Sequence, residues 1–186
     1  MKITGVVLAG GESSRMGTDK GLVQIDGKTM VEHVLETLKQ VTEEVVIISN
    51  NKDYEQFGVS VFQDEIKLRG PVGGIYTALK QAKHELVLVL SCDSPYVNAE
   101  LLEYFLKQCD SNLINVVEFE GKVYPLIGLY RKSDEKEFLK AMKEDRLKLQ
   151  LLNKMLGTKL IQIDSSKFDK KVFWNFNSPA ELEKLK

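Results

Sequence analysis

The chain has 186 residues, of which 43% are hydrophobic and 28% charged, and its formal net charge is −1. This balance excludes a bulk basic field that would draw the protein to nucleic acid or to an anionic membrane, and no apolar stretch approaches the roughly 20 residues that a membrane span needs. Its two cysteines, Cys92 and Cys109, have neither a disulfide framework nor a zinc-ligand spacing, so we expect one cytoplasmic domain over 1–186 without nucleic-acid or membrane partners.

The first half of the chain alternates apolar runs with helical patterns. Runs at 3–8, 45–49 and 86–90 are β-branched or continuous, which is typical of strands covered on both faces. Apolar spacings of three and four predict a helix between the first two runs. A short strand is predicted at 59–62, a helix from Gly70-Pro71 and another helix after Pro95. This order predicts right-handed βαβ crossovers and an α/β fold, a three-layer α/β/α sandwich with a mostly parallel central sheet.

The second half has a less regular pattern. Strands are predicted at 113–117 and 123–130, joined by a hairpin at 118–121. Two helices at 134–143 and 146–156, a last strand at 159–163 and a terminal helix after Pro179 complete the prediction.

A glycine-rich, basic loop follows the first strand, in the stretch LAGGESSRMGTDKGL. Ligands of open parallel sheets bind outside the carboxyl ends of the strands, so Gly10 and Gly11 lie at the predicted ligand edge. Glycine backbone can approach phosphate oxygens closely, and Arg15 and Lys20 supply positive charge. The spacing excludes a P-loop and the dinucleotide fingerprint. A tight turn with solvated charges remains the alternative.

Two acidic residues follow predicted strands at the same edge. Asp93 comes directly after the apolar run LVLVLSC, where a carboxylate can bind Mg²⁺ together with substrate phosphates. The alternative role for Asp93 is to cap the following helix, a role for which Pro95 and Asn98 compete. Asp64 ends the short strand VSVFQD, and its alternative is a solvated loop acid.

Four segments, in order, resemble the MobA-type molybdenum cofactor guanylyltransferases. The first loop is similar to the pattern L-A-G-G-x-S-x-R-M-G-x-D-K, and the resemblance continues through FQDEIKLRGPVGGIYTAL, SCDSPYV and FWNFNSPAEL. It implies a Rossmann-like nucleotidyltransferase domain that transfers GMP from GTP to the phosphate of Mo-molybdopterin, with Mg²⁺ as cofactor. The products would be molybdopterin guanine dinucleotide and pyrophosphate.

The resemblance also implies residue roles. The expected nucleotide-binding residues are Leu8, Ala9, Gly10, Gly11, Lys20, Asn50, Asp64 and Asp93. The expected catalytic residues are Arg15, Lys20 and Asp93, with Asp93 also the metal ligand. Asn175 and Asn177 fall in the segment that the family places beside the molybdopterin site. The nucleotide would thus bind the part over 1–97 and the pterin the part over 98–186.

The resemblance leaves other functions open. A molybdopterin cytidylyltransferase or a sugar-phosphate nucleotidyltransferase would share the fold, but these typically carry alanine where Gly10 stands, which favours guanine here. A carrier that binds molybdopterin without catalysis is a different class, and Arg15, Lys20 and Asp93 argue against it. Besides GTP and molybdopterin, other cofactor-biosynthesis proteins or recipient molybdoenzymes are candidate partners.

Overall fold

A computed structural model describes residues 2–10 and 19–176 of the chain. In this part, nine strands and five α-helices follow one another along the chain. The strands are β1 (Ile3–Leu8), β2 (Gln24–Ile25), β3 (Lys28–Thr29), β4 (Glu44–Ile48), β5 (Ser60–Phe62), β6 (Leu86–Ser91), β7 (Ile114–Phe119), β8 (Lys122–Arg131) and β9 (Thr158–Gln162). The helices are α1 (Met30–Val41), α2 (Gly70–Gln81), α3 (Ala99–Leu106), α4 (Glu135–Lys143) and α5 (Leu149–Leu156).

Seven strands form one central sheet in the order β5-β4-β1-β6-β8-β7-β9. All of its pairings are parallel except those made by β8, which is antiparallel to both β6 and β7. The chain proceeds from β1 through β4 to β5 on one side and then returns to the other side of β1 as β6. This reversal creates a topological switch point between β1 and β6, the position at which open α/β sheets bind ligands.

Helices cover both faces of this sheet, as the continuous apolar strands require. Every residue of β1 and of β6 is buried. Apolar residues of α1 and α3 pack on one face, and those of α2, α4 and α5 pack on the other. The three-layer α/β/α sandwich with a mostly parallel sheet is therefore confirmed.

Several local signals in the sequence explain where these elements begin and end. Thr29 caps α1 in a capping box with Glu32, and Pro71 lies at the start of α2. The hairpin between β7 and β8 turns at Glu120 and Gly121, both with positive φ. Asp145, with φ of 54°, lies between α4 and α5, and α5 starts at Leu149 rather than at the predicted position 146.

The predicted elements otherwise recur with small shifts in their ends. The sequence pattern did not predict the two-residue strands β2 and β3, which pair only with each other. The predicted helix after Pro179 lies outside the described residues. Within 2–10 and 19–176, none of the helices has the length and apolar character needed to cross a membrane.

Candidate functional site

The carboxyl ends of four neighbouring strands meet at one edge of the sheet. Leu8, the last residue of β1, pairs with Ile48 on one side and Ser91 on the other, and Ile48 pairs with Phe62. The register continues one residue further, because the Ala9 N–H donates to the Ile48 carbonyl at 2.9 Å and the Cys92 N–H to the Leu8 carbonyl at 3.0 Å. Each of these four strand ends is followed two residues later by a predicted site residue, which therefore lies at this edge. These residues are Gly10, Asn50, Asp64 and Asp93.

Gly10 is exposed at the switch point, beyond the buried Leu8 and Ala9. Its φ lies outside the left-handed region, and a Cβ built on it would meet no described atom within 4 Å. Neither backbone strain nor packing among the described residues therefore requires glycine at this position. The property that an alanine would remove is open space in front of the backbone.

Asn50 and Asp64 form a reciprocal pair across the ends of β4 and β5. The Asn50 Nδ2 donates to Asp64 Oδ2 at 2.9 Å, and the Asp64 N–H donates to Asn50 Oδ1 at 3.1 Å. Partial burial raises the pKa of the Asp64 carboxyl above its ordinary value, while the hydrogen bond from Asn50 opposes that rise. The contact brings two predicted nucleotide-binding residues together and makes Asp64 more than a solvated loop acid.

Asp93 lies half-buried in the loop between β6 and α3. It is not the cap of α3, because Asn98 takes that position and its side chain accepts from the Leu101 N–H at 2.9 Å. The alternative structural role considered for Asp93 is therefore excluded. The Ser94 hydroxyl oxygen lies 3.4 Å from Asp93 Oδ1.

The segment before residue 177 returns to this same loop. The Ser94 hydroxyl donates to Asn175 Oδ1 at 3.0 Å, and the Phe176 N–H donates to the Asp93 carbonyl at 3.1 Å. The exposed Asn175 is thereby fixed beside Asp93, although 82 positions separate the two in the sequence. The expected nucleotide and molybdopterin sites thus share the β6–α3 loop.

Lys20 begins a short 3₁₀ helix over Lys20–Leu22 at the end of the glycine-rich loop. Burial, reinforced by the negative charges of Asp93 and Asp19, raises the pKa of the Cys92 thiol, and the positive charge of Lys20 opposes that rise. The three charges therefore lie near enough to act on Cys92, which directly precedes Asp93. This arrangement brings the Lys20 charge to the same edge as Asp93.

Asp19 makes contacts that the sequence pattern does not predict. Its carboxylate accepts hydrogen bonds from the Gly21 N–H at 3.1 Å, from Asn51 Nδ2 at 3.1 Å and from the Tyr54 hydroxyl at 2.5 Å. Asn51 and Tyr54 belong to the segment after β4, more than 30 positions away. The only signal in the sequence was that Asp19 and Lys20 stand together in the motif.

Some predicted residues lie outside the described part of the chain: Gly11, Arg15 and Asn177. Among the residues that are described, no group of three or more His, Cys, Asp or Glu side chains could enclose a metal ion. The described geometry is therefore an open edge with one or two carboxylates rather than an all-protein metal cage.

Comparisons with known proteins extend over both halves of the chain. A family model described as "MobA-like NTP transferase domain" matches residues 5–159. A probable molybdenum cofactor guanylyltransferase from Flavobacterium johnsoniae is 35% identical over 98% of this chain and 96% of its own length. A molybdenum cofactor guanylyltransferase from Vibrio parahaemolyticus is 36% identical over 95% of this chain and 91% of its own length. The crystal structure of molybdopterin-guanine dinucleotide biosynthesis protein A from Archaeoglobus fulgidus has a TM-score of 0.78 and 26% identity, covering 97% of this chain and 95% of that one.

Proposed function

Because this chain belongs to the MobA-like NTP transferase family, we propose that it transfers GMP from GTP to Mo-molybdopterin, forming molybdopterin guanine dinucleotide and pyrophosphate. The chain is a nucleotidyltransferase, and the family resemblance seen in its four motifs is confirmed. The observation that carries the specific reaction is the placement of Gly10, Asp64 and Asp93 at one sheet edge in a chain with guanylyltransferase relatives over nearly its full length.

The reaction requires positioning and charge neutralisation rather than a protein nucleophile. An oxygen of the molybdopterin phosphate attacks the α-phosphorus of GTP. The bond from the α-phosphorus to the bridging oxygen breaks, and its electron pair leaves with pyrophosphate. Lys20 and Arg15, with the backbone of Gly10 and Gly11, stabilise the negative charge that develops on the phosphates.

A single carboxylate at this edge fits the way in which proteins bind Mg²⁺. That ion usually keeps several waters and binds one or two carboxylates together with substrate phosphates. Asp93, half-buried and excluded from capping α3, is the residue that would hold it. When bound, the ion neutralises phosphate charge.

The remaining residues divide between the two substrates. Leu8, Ala9 and Gly10 border the guanine, and the Asn50–Asp64 pair binds the nucleotide beside them. Asn175, beside Asp93, and Asn177 bind molybdopterin. The nucleotide part is then 1–97 and the pterin part 98–186, and the protein acts in the cytoplasm, with other cofactor-biosynthesis proteins or recipient molybdoenzymes as candidate partners.

The decisive experiment supplies GTP, CTP or UTP with Mg²⁺ and Mo-molybdopterin and measures pyrophosphate release. We expect release with GTP only, accompanied by formation of the guanine dinucleotide. A preference for CTP would instead indicate a cytidylyltransferase, and binding of GTP and pterin without pyrophosphate would indicate a carrier.

The Asp93→Ala variant tests whether Asp93 takes part in the transfer reaction. It should keep the unfolding temperature of the native chain, because Asp93 caps no helix, and it should lose transfer by about 10²-fold or more. Transfer near the native rate in this variant would remove Asp93 from the mechanism.

A further inference from the structure

We infer that Asp19, Asn51 and Tyr54 form a clamp that positions Lys20, and that Asp19 is therefore a positioning residue for nucleotidyl transfer. This inference rests on the proposed function insofar as Lys20 contacts the phosphates of the nucleotide. It adds three residues to the site, of which only Asp19 lies in one of the four segments that resemble the family.

The clamp is built on one carboxylate that receives three donors. Asp19 Oδ1 accepts from the Tyr54 hydroxyl and from the Gly21 N–H, and Asp19 Oδ2 accepts from Asn51 Nδ2. Hydrogen bonds to an ionised carboxylate are shorter and stronger than those between neutral groups. The chain directly before Lys20 is thereby tied to the segment after β4.

The backbone around Lys20 is also fixed on its other side. The Leu22 N–H donates to the Asp19 carbonyl at 3.1 Å, and the Val23 N–H donates to the Lys20 carbonyl at 3.0 Å. Lys20 therefore stands in a closed turn whose orientation follows that of the Asp19 carboxylate.

Gly21 allows the clamp to close. A Cβ built at Gly21 would lie 2.2 Å from the Tyr54 hydroxyl oxygen and 3.1 Å from the ring carbon that bears it. Tyr54 is fully buried, so its ring has no free direction in which to retreat. The glycine is required here for close approach, and the φ of Gly21 is not positive.

Asn51 links the clamp to the other side of the nucleotide site. Its Oδ1 caps the short helix Lys52–Phe57 by accepting from the Asp53 N–H at 2.9 Å, which leaves Nδ2 to donate to Asp19. The preceding residue, Asn50, holds Asp64. Two consecutive asparagines after β4 thus connect the Lys20 turn with the Asp64 loop, so that the two groups keep a fixed separation.

A double-mutant cycle tests whether Tyr54 acts through Lys20. Tyr54→Phe keeps the ring in the core and removes one donor to Asp19, and it is combined with Lys20→Met. With Lys20 present, Tyr54→Phe should weaken GTP binding or lower kcat/KM for GTP by about tenfold, as the loss of a hydrogen bond to a charged group predicts. In the Lys20→Met background, the same change should have an effect under about twofold.

Two further variants separate the clamp from general stability. Asn51→Ser keeps an oxygen that can cap the short helix but is too short to reach Asp19, so it should repeat the Lys20-dependent loss even if Tyr54→Phe fails to fold. Tyr130→Phe is the matched control, because the buried Tyr130 hydroxyl bonds to the Pro125 carbonyl and to Asn153, on strand β8 and helix α5. It should lower the unfolding temperature without changing GTP affinity.

The outcomes distinguish the clamp from the proposed function. Equal losses with and without Lys20, or no loss at all, would overturn the clamp even if the native chain transfers GMP. If the native chain instead uses CTP, the proposed function fails, and the same cycle is measured with CTP binding.

Discussion

At the scale of single residues, Gly10 is a glycine that the described fold does not require, so a need for glycine at this position would come from the ligand. The space in front of its backbone holds no described atom, and its φ lies outside the left-handed region. Glycines elsewhere in the chain, such as Gly157 with φ of 85°, are needed for the backbone conformation itself. The two kinds of glycine should respond differently to the same substitution.

Gly10→Ala should fold with an unchanged unfolding temperature and lose its preference for GTP. The added methyl group would crowd the 2-amino group of guanine, which cytosine lacks, so the ratio of kcat/KM for GTP to that for CTP should fall by about tenfold or more. Steady-state kinetics with both nucleotides and a thermal unfolding curve provide the measurement.

Gly157→Ala is the matched control at the opposite edge of the sheet, where the Gly157 carbonyl accepts from the Ile114 N–H. Strain at positive φ should lower its unfolding temperature, whereas its preference for GTP should stay native. If Gly10→Ala kept the native preference for GTP over CTP, Gly10 would not determine which base the site accepts.

At the scale of elements, the Asn50–Asp64 pair joins the ends of β4 and β5 at a cost in stability. Burial raises the pKa of the folded Asp64 carboxyl above that of the unfolded chain. A raised carboxyl pKa means that the folded state binds the proton more tightly, so ionised Asp64 destabilises the fold at neutral pH. This cost disappears as the pH falls through the folded pKa towards the unfolded value.

Asp64→Asn should therefore raise the unfolding temperature at pH 7 and weaken GTP binding. An asparagine oxygen at this position can still accept from Asn50, and no charge is buried. The gain in unfolding temperature over the native chain should shrink as the pH is lowered towards 4. Thermal unfolding at several pH values, together with GTP titration, gives both readouts.

Asp169→Asn is a useful contrast, because Asp169 is an exposed carboxylate that accepts from the Lys171 N–H. It should bring no gain in unfolding temperature at pH 7. A native unfolding temperature for Asp64→Asn at every pH would show that burial of Asp64 costs the fold nothing.

Elements that are buried on both faces are those that the sequence predicted well. The runs that became β1, β4 and β6 lie within one residue of the predicted positions, because continuous apolar residues are a property of the local sequence. The β2–β3 hairpin turns at Asp26 and Gly27, both with positive φ, as a two-residue hairpin requires, but strands of two residues are too short to show a periodicity. The short helix Lys52–Phe57 likewise has too few residues for a helical pattern. The candidate site likewise has a part that the sequence predicts and a part that it does not.

The sheet edge that carries the site could be predicted, because the ends of parallel strands meet by topology. The contacts at this edge could not, since pairs such as Ser94 with Asn175 join residues that no spacing rule relates. The segment after β4 is the clearest case, where Asn50 holds Asp64 while the next residue holds Asp19.

At the scale of the whole molecule, the expected nucleotide and pterin parts share one sheet. Strand β6 lies in the first part and pairs along its length with β8 of the second. The core on the α1 and α3 face also combines residues of both parts, among them Leu88, Phe105 and Leu129. A cut after residue 97 would expose a central strand edge and an apolar face, which isolated sheets do not tolerate.

We therefore expect the chain to unfold as one cooperative unit. Calorimetry should give a single transition in which the calorimetric and van't Hoff enthalpies agree, and a fragment over 1–97 should give none. GTP with Mg²⁺ should move the whole transition to higher temperature, because a ligand of the folded state stabilises every element that unfolds together with its site. Two transitions, of which GTP moves only one, would instead show that the nucleotide part folds independently. In that case the contacts of Asn175 and Phe176 with the β6–α3 loop would join two separately stable units at the site.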